Sequence, residues 1–419
     1  MGPLPSKETQ AGILGRSFVK LALVFPDLGH KGGAESVVVW SAVGLARRGH
    51  EVRVFTAGVE PSLWPEFPEL AGLVEIVRPV TRGSRLKRNL ATGRNLADRL
   101  SLYPLVFAHN RYGLLWSLAC ESRLLWYVHE PSRRLHARHT DAYLLQALER
   151  HDVPGDHPAF QQLQDWLHKQ EATPWARMRA ANKAKDDRRW AKEANRVLTN
   201  SRYNAEVIQA SLGVSAEVLY PGAPPPALVA SDQERSGIAV LSSSSPKKNL
   251  FTVLQAAAVL EREKAPPEWR FTVWGVGTDG PDFQEMVQSQ GLQDRVRLLG
   301  FVPDQESWQL LASARLALFL PLCEPFGLVA AEALMLQTPI LASDHGGPVE
   351  ILQACDGGRA VDPLRPDLIA HAIGDMLSRE ELWRGQAEKA SVEARNRYSL
   401  DAFLDALEPQ LAATLENSR

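Results

Sequence analysis

The chain has 419 residues, a length that suits two domains, each able to bury its own core. Apolar residues make up 45% and charged residues 23%, which excludes a disordered chain, and 47 basic against 49 acidic side chains leave no overall field that would favour nucleic acid as a partner. Three scattered cysteines, Cys120, Cys323 and Cys355, make neither a disulfide framework nor a four-ligand zinc site, and no apolar run approaches the ~20 residues of a membrane span; both features suit a soluble protein of a reducing cytoplasm.

Residues 1–16 lack the basic-then-apolar order of a signal peptide and read as a flexible leader. From there the chain repeats a short run of Val, Leu and Phe, a glycine-containing turn and a segment of helical spacing, the alternation of a doubly wound parallel sheet. Val19 to Phe25 is the first predicted strand, Ala34 to Arg48 the first helix and Glu51 to Phe55 the second strand. Between the first two, Gly29-His30-Lys31-Gly32-Gly33-Ala34-Glu35 offers Gly32 and Gly33 as a place where backbone amides approach an anion, or simply a tight turn. It is not a dinucleotide fingerprint: the glycines do not follow G-x-G-x-x-G, and no acid ends the second strand.

A basic stretch follows, Arg82, Arg85, Lys87, Arg88, Arg94 and Arg99, interleaved with Leu86, Leu90, Leu96 and Leu100. It reads as the solvated face of a surface helix, with peripheral contact to an anionic membrane or a grip on an anionic acceptor as alternatives. Leu105 to Ala108 and Leu124 to His129 are further strands. His129-Glu130-Pro131 closes the latter at the carboxyl end, where parallel sheets present ligand-facing groups, so His129 is either a sugar-binding or a structural histidine. Residues 132–193 break the rhythm as a helical insertion, with turn signals at Val153-Pro154-Gly155 and Asp156-His157-Pro158. Val197 to Asn200 returns to strand, and Tyr220-Pro221-Gly222 with the prolines after it reads as a linker.

A second series begins at 221, with strands at Ile238 to Leu241, Phe271 to Trp274, Val296 to Leu299, Leu316 to Leu320 and Pro339 to Ala342. Pro246-Lys247-Lys248-Asn249 follows the first of these and could neutralise a departing diphosphate, or be a solvated lysine pair. Gly275-Val276-Gly277 ends the next strand. The strongest pattern runs from Cys323 to Leu334: a helix starting near Gly327 would aim the free amides of Phe326, Gly327 and Leu328 at a diphosphate. Glu324 and Glu332 flank that point, as acceptors for sugar and ribose hydroxyls or as acids that merely favour the helix dipole. Gly346-Gly347-Pro348 adds a second loop on the same edge. An amphipathic segment from Ala402 to Leu415 closes the chain.

With these residues laid out, the chain resembles the family-four group of retaining glycosyltransferases with the GT-B fold. Glu324 to Glu332 matches the E-x7-E motif with its Pro-Phe-Gly-Leu run, His129-Glu130-Pro131 looks like the active-site histidine motif, and Gly32-Gly33-Ala34-Glu35 looks like the N-terminal glycine loop. The resemblance implies an α/β chain of two Rossmann-like domains facing across a cleft: an acceptor domain over 17–220 with the insertion at 132–193, a nucleotide-sugar domain over 221–400, and a helix over 401–419 crossing back to the N-terminal domain. It further implies a donor linked to UDP or GDP, a glycan, lipid-linked or small-molecule acceptor, and neither metal nor cofactor. Glu332 would bond the ribose, Glu324 the donor sugar and His129 the transferred sugar, while Lys248, Lys247, Ser243, Gly275, Gly32 and Gly33 would line the donor site.

One position departs from the family: Ser243 stands five residues before Lys248, where an arginine is usual. That supports one other reading, a non-catalytic glycosyltransferase-like subunit; a nucleotide-sugar epimerase on the same scaffold is a second alternative, because fold does not fix function. A cytoplasmic location, with peripheral placement on the inner membrane face as a variant, completes the expectation.

Overall fold

The computed structural model describes residues 18–150, 157–224, 235–263, 266 and 268–416. The predicted leader, the turn at Val153-Pro154-Gly155 and the linker prolines Pro225 and Pro226 lie outside them. The chain divides into two compact units, residues up to 126 with 193–196 and those from 404 onward, and residues 127–192 with 197–403.

The first sheet has seven strands: β1 (Lys20–Val24), β2 (Glu51–Thr56), β3 (Val74–Ile76), β4 (Leu105–His109), β5 (Arg123–Val128), β6 (Arg196–Thr199) and β7 (Glu217–Val218). They lie in the order β3-β2-β1-β4-β5-β6-β7, so the order reverses between β1 and β4. Both strands at that point are almost wholly buried, as a sheet covered on both faces demands. The helix Gly33–Arg47 buries an unbroken run from Ser36 to Leu45.

The second sheet contains β8 (Ile238–Leu241), β9 (Phe271–Trp274), β10 (Val296–Leu298), β11 (Leu316–Phe319), β12 (Ile340–Ser343) and β13 (Gly358–Val361), in the order β10-β9-β8-β11-β12-β13. Its reversal lies between β8 and β11. Their residues Ile238, Val240, Leu316 and Leu318 join Leu254, Phe271 and Ile373 in one apolar core. Both sheets are thus parallel Rossmann-like cores flanked by helices, as expected. The strands not foreseen, β3, β7 and β13, are two to four residues long and half exposed, too short or too polar to show a buried strand pattern.

The insertion forms four helices, Arg133–Thr140, Ala142–Glu149, Pro158–Glu171 and Pro174–Ala191. In chain order it interrupts the first sheet between β5 and β6. Its apolar side, with Ala137, Leu144, Phe160 and Leu163, packs on Leu322, Cys323 and Leu364, residues of loops beyond the strands of the second sheet.

The closing helix is Leu400–Glu416. Within the first unit, Arg48 meets Asp405 at 2.7 Å, and His50 meets Glu408 at 3.2 Å. The Val19 amide donates to His50 Nδ1, so Nε2 carries the ring proton and donates to Glu408. Leu404 fits over Gly44, where even a methyl group would lie 2.5 Å from Leu404 Cδ1.

Candidate functional site

In open α/β sheets the strand-order reversal leaves a gap beyond the carboxyl ends of the two central strands, and ligands bind there. In the second unit the loops after β8 and β11 meet at that point. The β8 loop carries Ser242 to Asn249 and closes in a single turn of 3₁₀ helix over Pro246–Lys248. Asn249 ends it in the left-handed region at φ 60°, which an asparagine tolerates, and opens the helix Leu250–Arg262.

Its side chain then locks the two loops together. Asn249 Nδ2 donates to the carbonyls of Leu320 and Pro363, at 2.9 and 2.7 Å, and the Leu322 amide donates to the Lys247 carbonyl at 2.7 Å. From the insertion, His157 accepts the Ala159 amide at Nδ1, so its Nε2–H faces Asn249 Oδ1 and Thr252 Oγ1, each at 3.0 Å.

On this frame the charges are paired. Lys248 Nζ lies 2.8 Å from Glu324 Oε2 and 5.4 Å above the Phe319 ring, and Lys247 Nζ lies 3.3 Å from Glu130 Oε2. Burial works against the Glu324 carboxylate, but Lys248 and then Lys247 outweigh it and hold the carboxyl below its ordinary range. Glu130 behaves alike: burial is overcome by Lys247 and Arg133. Arg133 lies beneath, bonded to Glu130 at 2.6 Å, to Asp141, and to the Cys323 carbonyl at 2.7 Å. Burial pushes the Cys323 thiol up to about 12, so it is no nucleophile.

The β11 loop passes Cys323 at φ 55° and Gly327 at φ 99° before the helix Leu328–Met335 begins. A Cβ at Gly327 would lie 2.9 Å from the Phe319 ring and one at Gly347 2.3 Å from Phe326 Cα, so these glycines permit backbone to stack on its neighbours. Gly275 does the same beneath the β8 loop, 1.9 Å from the Ser242 carbonyl were it alanine. Leu328 and Val329 open this helix, at positions whose amides have no intrahelical acceptor, while the Ala330 amide donates to the Gly327 carbonyl at 2.9 Å. Phe326 is buried against Tyr220 and Tyr398, so only its backbone is available to a ligand. Glu332 stands half-buried in the second turn of that helix.

Ser243 caps its own loop, Oγ accepting the Ser245 amide at 3.3 Å. Arg133 does not take the place of the arginine usual there, because its guanidinium already meets two carboxylates and a carbonyl. His129 directly follows β5; Asn200 and Asn204 each donate to its carbonyl at 2.9 Å, and burial lowers its imidazole from the ordinary 6.5 to about 3. It is a neutral ring throughout the physiological range.

The sequence reading thus brings Lys247, Lys248, Glu324 and the Gly327 turn together, with His129 joined through its neighbour Glu130. It assigned Glu130, Arg133 and Asp141 no role. Glu130 stood inside a quoted motif, so its charge beside a lysine pair was the available signal.

Gly32 and Gly33 belong to the other unit. Gly32 caps the helix Gly33–Arg47 with extended backbone, and a Cβ there would lie 2.6 Å from Glu35 Oε2. His30 sits between Asp27 at 3.6 Å and Glu35 at 3.1 Å. In this unit a cavity of about 500 Å³ opens at the β1/β4 reversal, lined among others by Asp27, His30, Glu35, Arg85, Arg88 and Tyr112.

Among the described residues no group of three or more His, Cys, Asp or Glu is placed to hold a metal ion, and no helix is long and apolar enough to cross a membrane.

Comparison with known proteins agrees with this architecture. Residues 31–225 match Glycosyltransferase Family 4, and residues 229–396 match the glycosyl transferases group 1 family. The alpha-1,3/1,6-mannosyltransferase ALG2 of Homo sapiens is 25% identical over 91% of this chain and 93% of its own. An alpha-D-kanosaminyltransferase of Streptomyces kanamyceticus is 28% identical over 38% of this chain and 41% of its own. The crystal structure of Anabaena HepE in complex with UDP and glucose superposes with a TM-score of 0.69 at 18% identity, covering 94% of this chain and all of that one. The chain is a GT-B-fold glycosyltransferase related to Glycosyltransferase Family 4 and homologous to nucleotide-sugar-dependent enzymes.

Proposed function

We propose that the loops after β8 and β11 bind a nucleoside-diphosphate sugar, UDP- or GDP-linked, and that the enzyme transfers the sugar with retention of configuration to a glycan, lipid-linked or small-molecule acceptor. The observation that carries this is the pair of lysines at the β8/β11 reversal, held beside Glu324 and the amides that open the helix after Gly327. An incoming diphosphate competes with Glu324 for Lys248, and the released Glu324 is free to accept a hydroxyl of the donor sugar. The helix amides take the phosphate oxygens, and Glu332 accepts from the ribose.

As the glycosidic bond breaks, negative charge grows on the leaving diphosphate, where Lys248 and the amides are already aimed. The diphosphate then takes the proton of the attacking acceptor hydroxyl on the face it leaves, so no carboxylate nucleophile is needed. His129, uncharged and buried, suits a hydrogen bond to the transferred sugar and not proton transfer. The relatives divide on the donor: HepE was solved with UDP and glucose, whereas ALG2 is a mannosyltransferase. We place the enzyme in the cytoplasm, with peripheral contact at the inner membrane face as the variant that the basic helix after Ser84 suggests.

The test is a thermal-shift series with UDP, GDP and their sugars, followed by proton NMR of the product anomeric centre. One nucleoside diphosphate should raise the melting temperature, since a ligand of the folded state alone must stabilise it. Failure of all, or an inverted product, overturns the proposal; a changed sugar nucleotide formed without acceptor would show an epimerase.

A further inference from the structure

We propose that the cavity at the β1/β4 reversal binds the anionic end of a phosphate- or carboxylate-bearing polyol, which Arg85 and Arg88 hold. This rests on the glycosyltransferase reading, for which the polyol is the acceptor, and names its chemical class.

Arg85 and Arg88 stand one turn apart in the helix Arg85–Leu100 and line the same cavity. Among the described residues neither side chain meets a carboxylate, whereas Arg99 of the same helix pairs with Glu75 and Arg47 of the same unit pairs with Glu69. The Arg85 guanidinium lies 4.5 Å over the Tyr112 ring, and Arg111 lies 5.4 Å from the same ring. The Tyr112 ring thus gathers positive charge at the edge of the cavity.

Their place in the helix adds to the case. The first turn holds Arg85, Lys87 and Arg88 and no acidic residue, so cations sit at the positive end of the helix dipole, the end that favours anions. Such an arrangement runs against the helix dipole, and local rules broken in this way mark functional sites. The helix is also fixed. Asn89 donates to the Arg85 carbonyl and accepts Trp116 Nε1–H, both at 2.8 Å, and Gly93 lies so near the next helix that a Cβ would stand 2.5 Å from the Leu115 carbonyl. Arg85 and Arg88 therefore project from a rigid base.

The acidic residues of the same lining bear on the rest of the ligand. His30 is shared by Asp27 and Glu35, two carboxylates that would repel a second anionic group and accept from hydroxyls. The ligand thus has one anionic end and one hydroxyl-bearing end.

The experiment uses the full chain and calorimetric titration with glucose 6-phosphate, inositol 1-phosphate and glucuronate, against uncharged glucose and inositol. Sedimentation with phosphatidylcholine vesicles, with and without phosphatidylinositol, runs in parallel. An anionic probe should bind about tenfold or more tightly than its uncharged counterpart, the range of one or two charge-assisted hydrogen bonds. The double variant Arg85→Ala/Arg88→Ala should lose that preference, and Arg85→Lys/Arg88→Lys should keep part of it. Preference shown by soluble probes assigns a free acceptor; preference shown only by inositol-lipid vesicles, and lost in the alanine variant, assigns a lipid headgroup. Nucleotide binding by the same samples reports folding. If a charged polyol binds through the arginines while neither UDP nor GDP binds, the cavity stands and the donor reading falls. Equal binding of charged and uncharged probes, or no binding of either, together with no arginine-dependent preference for the inositol-lipid vesicles, overturns the proposal, and so does an anion preference that survives the alanine variant.

Discussion

At the β8/β11 reversal, Lys247, Lys248 and Arg133 each meet a carboxylate, while at the β1/β4 reversal Arg85 and Arg88 meet none among the described residues. The same topological feature occurs twice, in two sheets with the same handed order, yet charge is handled in opposite ways. In the second unit the cations are compensated in advance, so the proposed anionic ligand would enter by exchange, displacing one carboxylate as it arrives. In the first, Arg85 and Arg88 meet no carboxylate among the described residues, and the proposed ligand would enter by addition. Exchange suits a group whose charge must grow during a reaction, because the partners are already oriented. Addition suits recognition of a charge that does not change.

If exchange depends on a preformed lattice of charges, its buried member matters most. Arg133→Ala should cost about 3–5 kcal/mol of stability, because the buried Asp141 is left without its cation and Glu130 keeps Lys247 alone. Chemical denaturation measures it, and a change under 1 kcal/mol would make the lattice ornamental. Arg133→Lys should recover part of the loss but not the two-sided geometry.

Next in size is the leaving group. Lys248→Ala should lower turnover about a hundredfold or more, as loss of one preorganised donor does. Ser243→Arg should tighten nucleoside diphosphate binding if its guanidinium reaches the phosphates. Both variants being neutral would remove the diphosphate from this loop.

Glu332→Ala should weaken nucleotide binding by about 1.5–3 kcal/mol, the worth of a charged acceptor to hydroxyl donors. Calorimetry showing unchanged affinity would take Glu332 out of the site.

Taken over a single pH unit, the smallest effect is one of pH. His129 is held neutral, its ring lowered by burial to about 3, while in the unfolded chain it takes a proton near 6.5. Stability from this group is therefore complete above 6.5 and falls as pH drops towards 3, by at most about 1.4 kcal/mol for each unit. His129→Gln should flatten that slope in denaturation curves measured between those values. Turnover, in contrast, should show no inflection owed to His129 near neutrality.

Sequence reading reached the strands because central strands of a parallel sheet are continuous apolar runs, as at Leu316 to Leu320. It missed β13 because Gly358-Arg359 at a sheet edge carries no such signal. The Gly327 turn and both glutamates were legible as one short motif, and the lysines as a pair after a strand. What was not legible were the long-range partners. Lys247 lies 117 positions from Glu130, and Arg133 lies 190 from Cys323. Spacing within an element says which face a side chain occupies; it does not say which distant carboxylate or carbonyl meets it.

The packing of the insertion on the loops of the second sheet bears on how this enzyme can be recombined. A chimera made by cutting at the proline-rich stretch near 221 would keep each sheet intact and look conservative on paper. It would nonetheless import a foreign partner for His157, which now meets Asn249 and Thr252, and would leave Arg133 facing a stranger's loop in place of the Cys323 carbonyl. Exchanging N-terminal halves between relatives while keeping these contacts therefore requires residues 132–193 to travel with the C-terminal half, so that the transferable module is a discontinuous piece of chain.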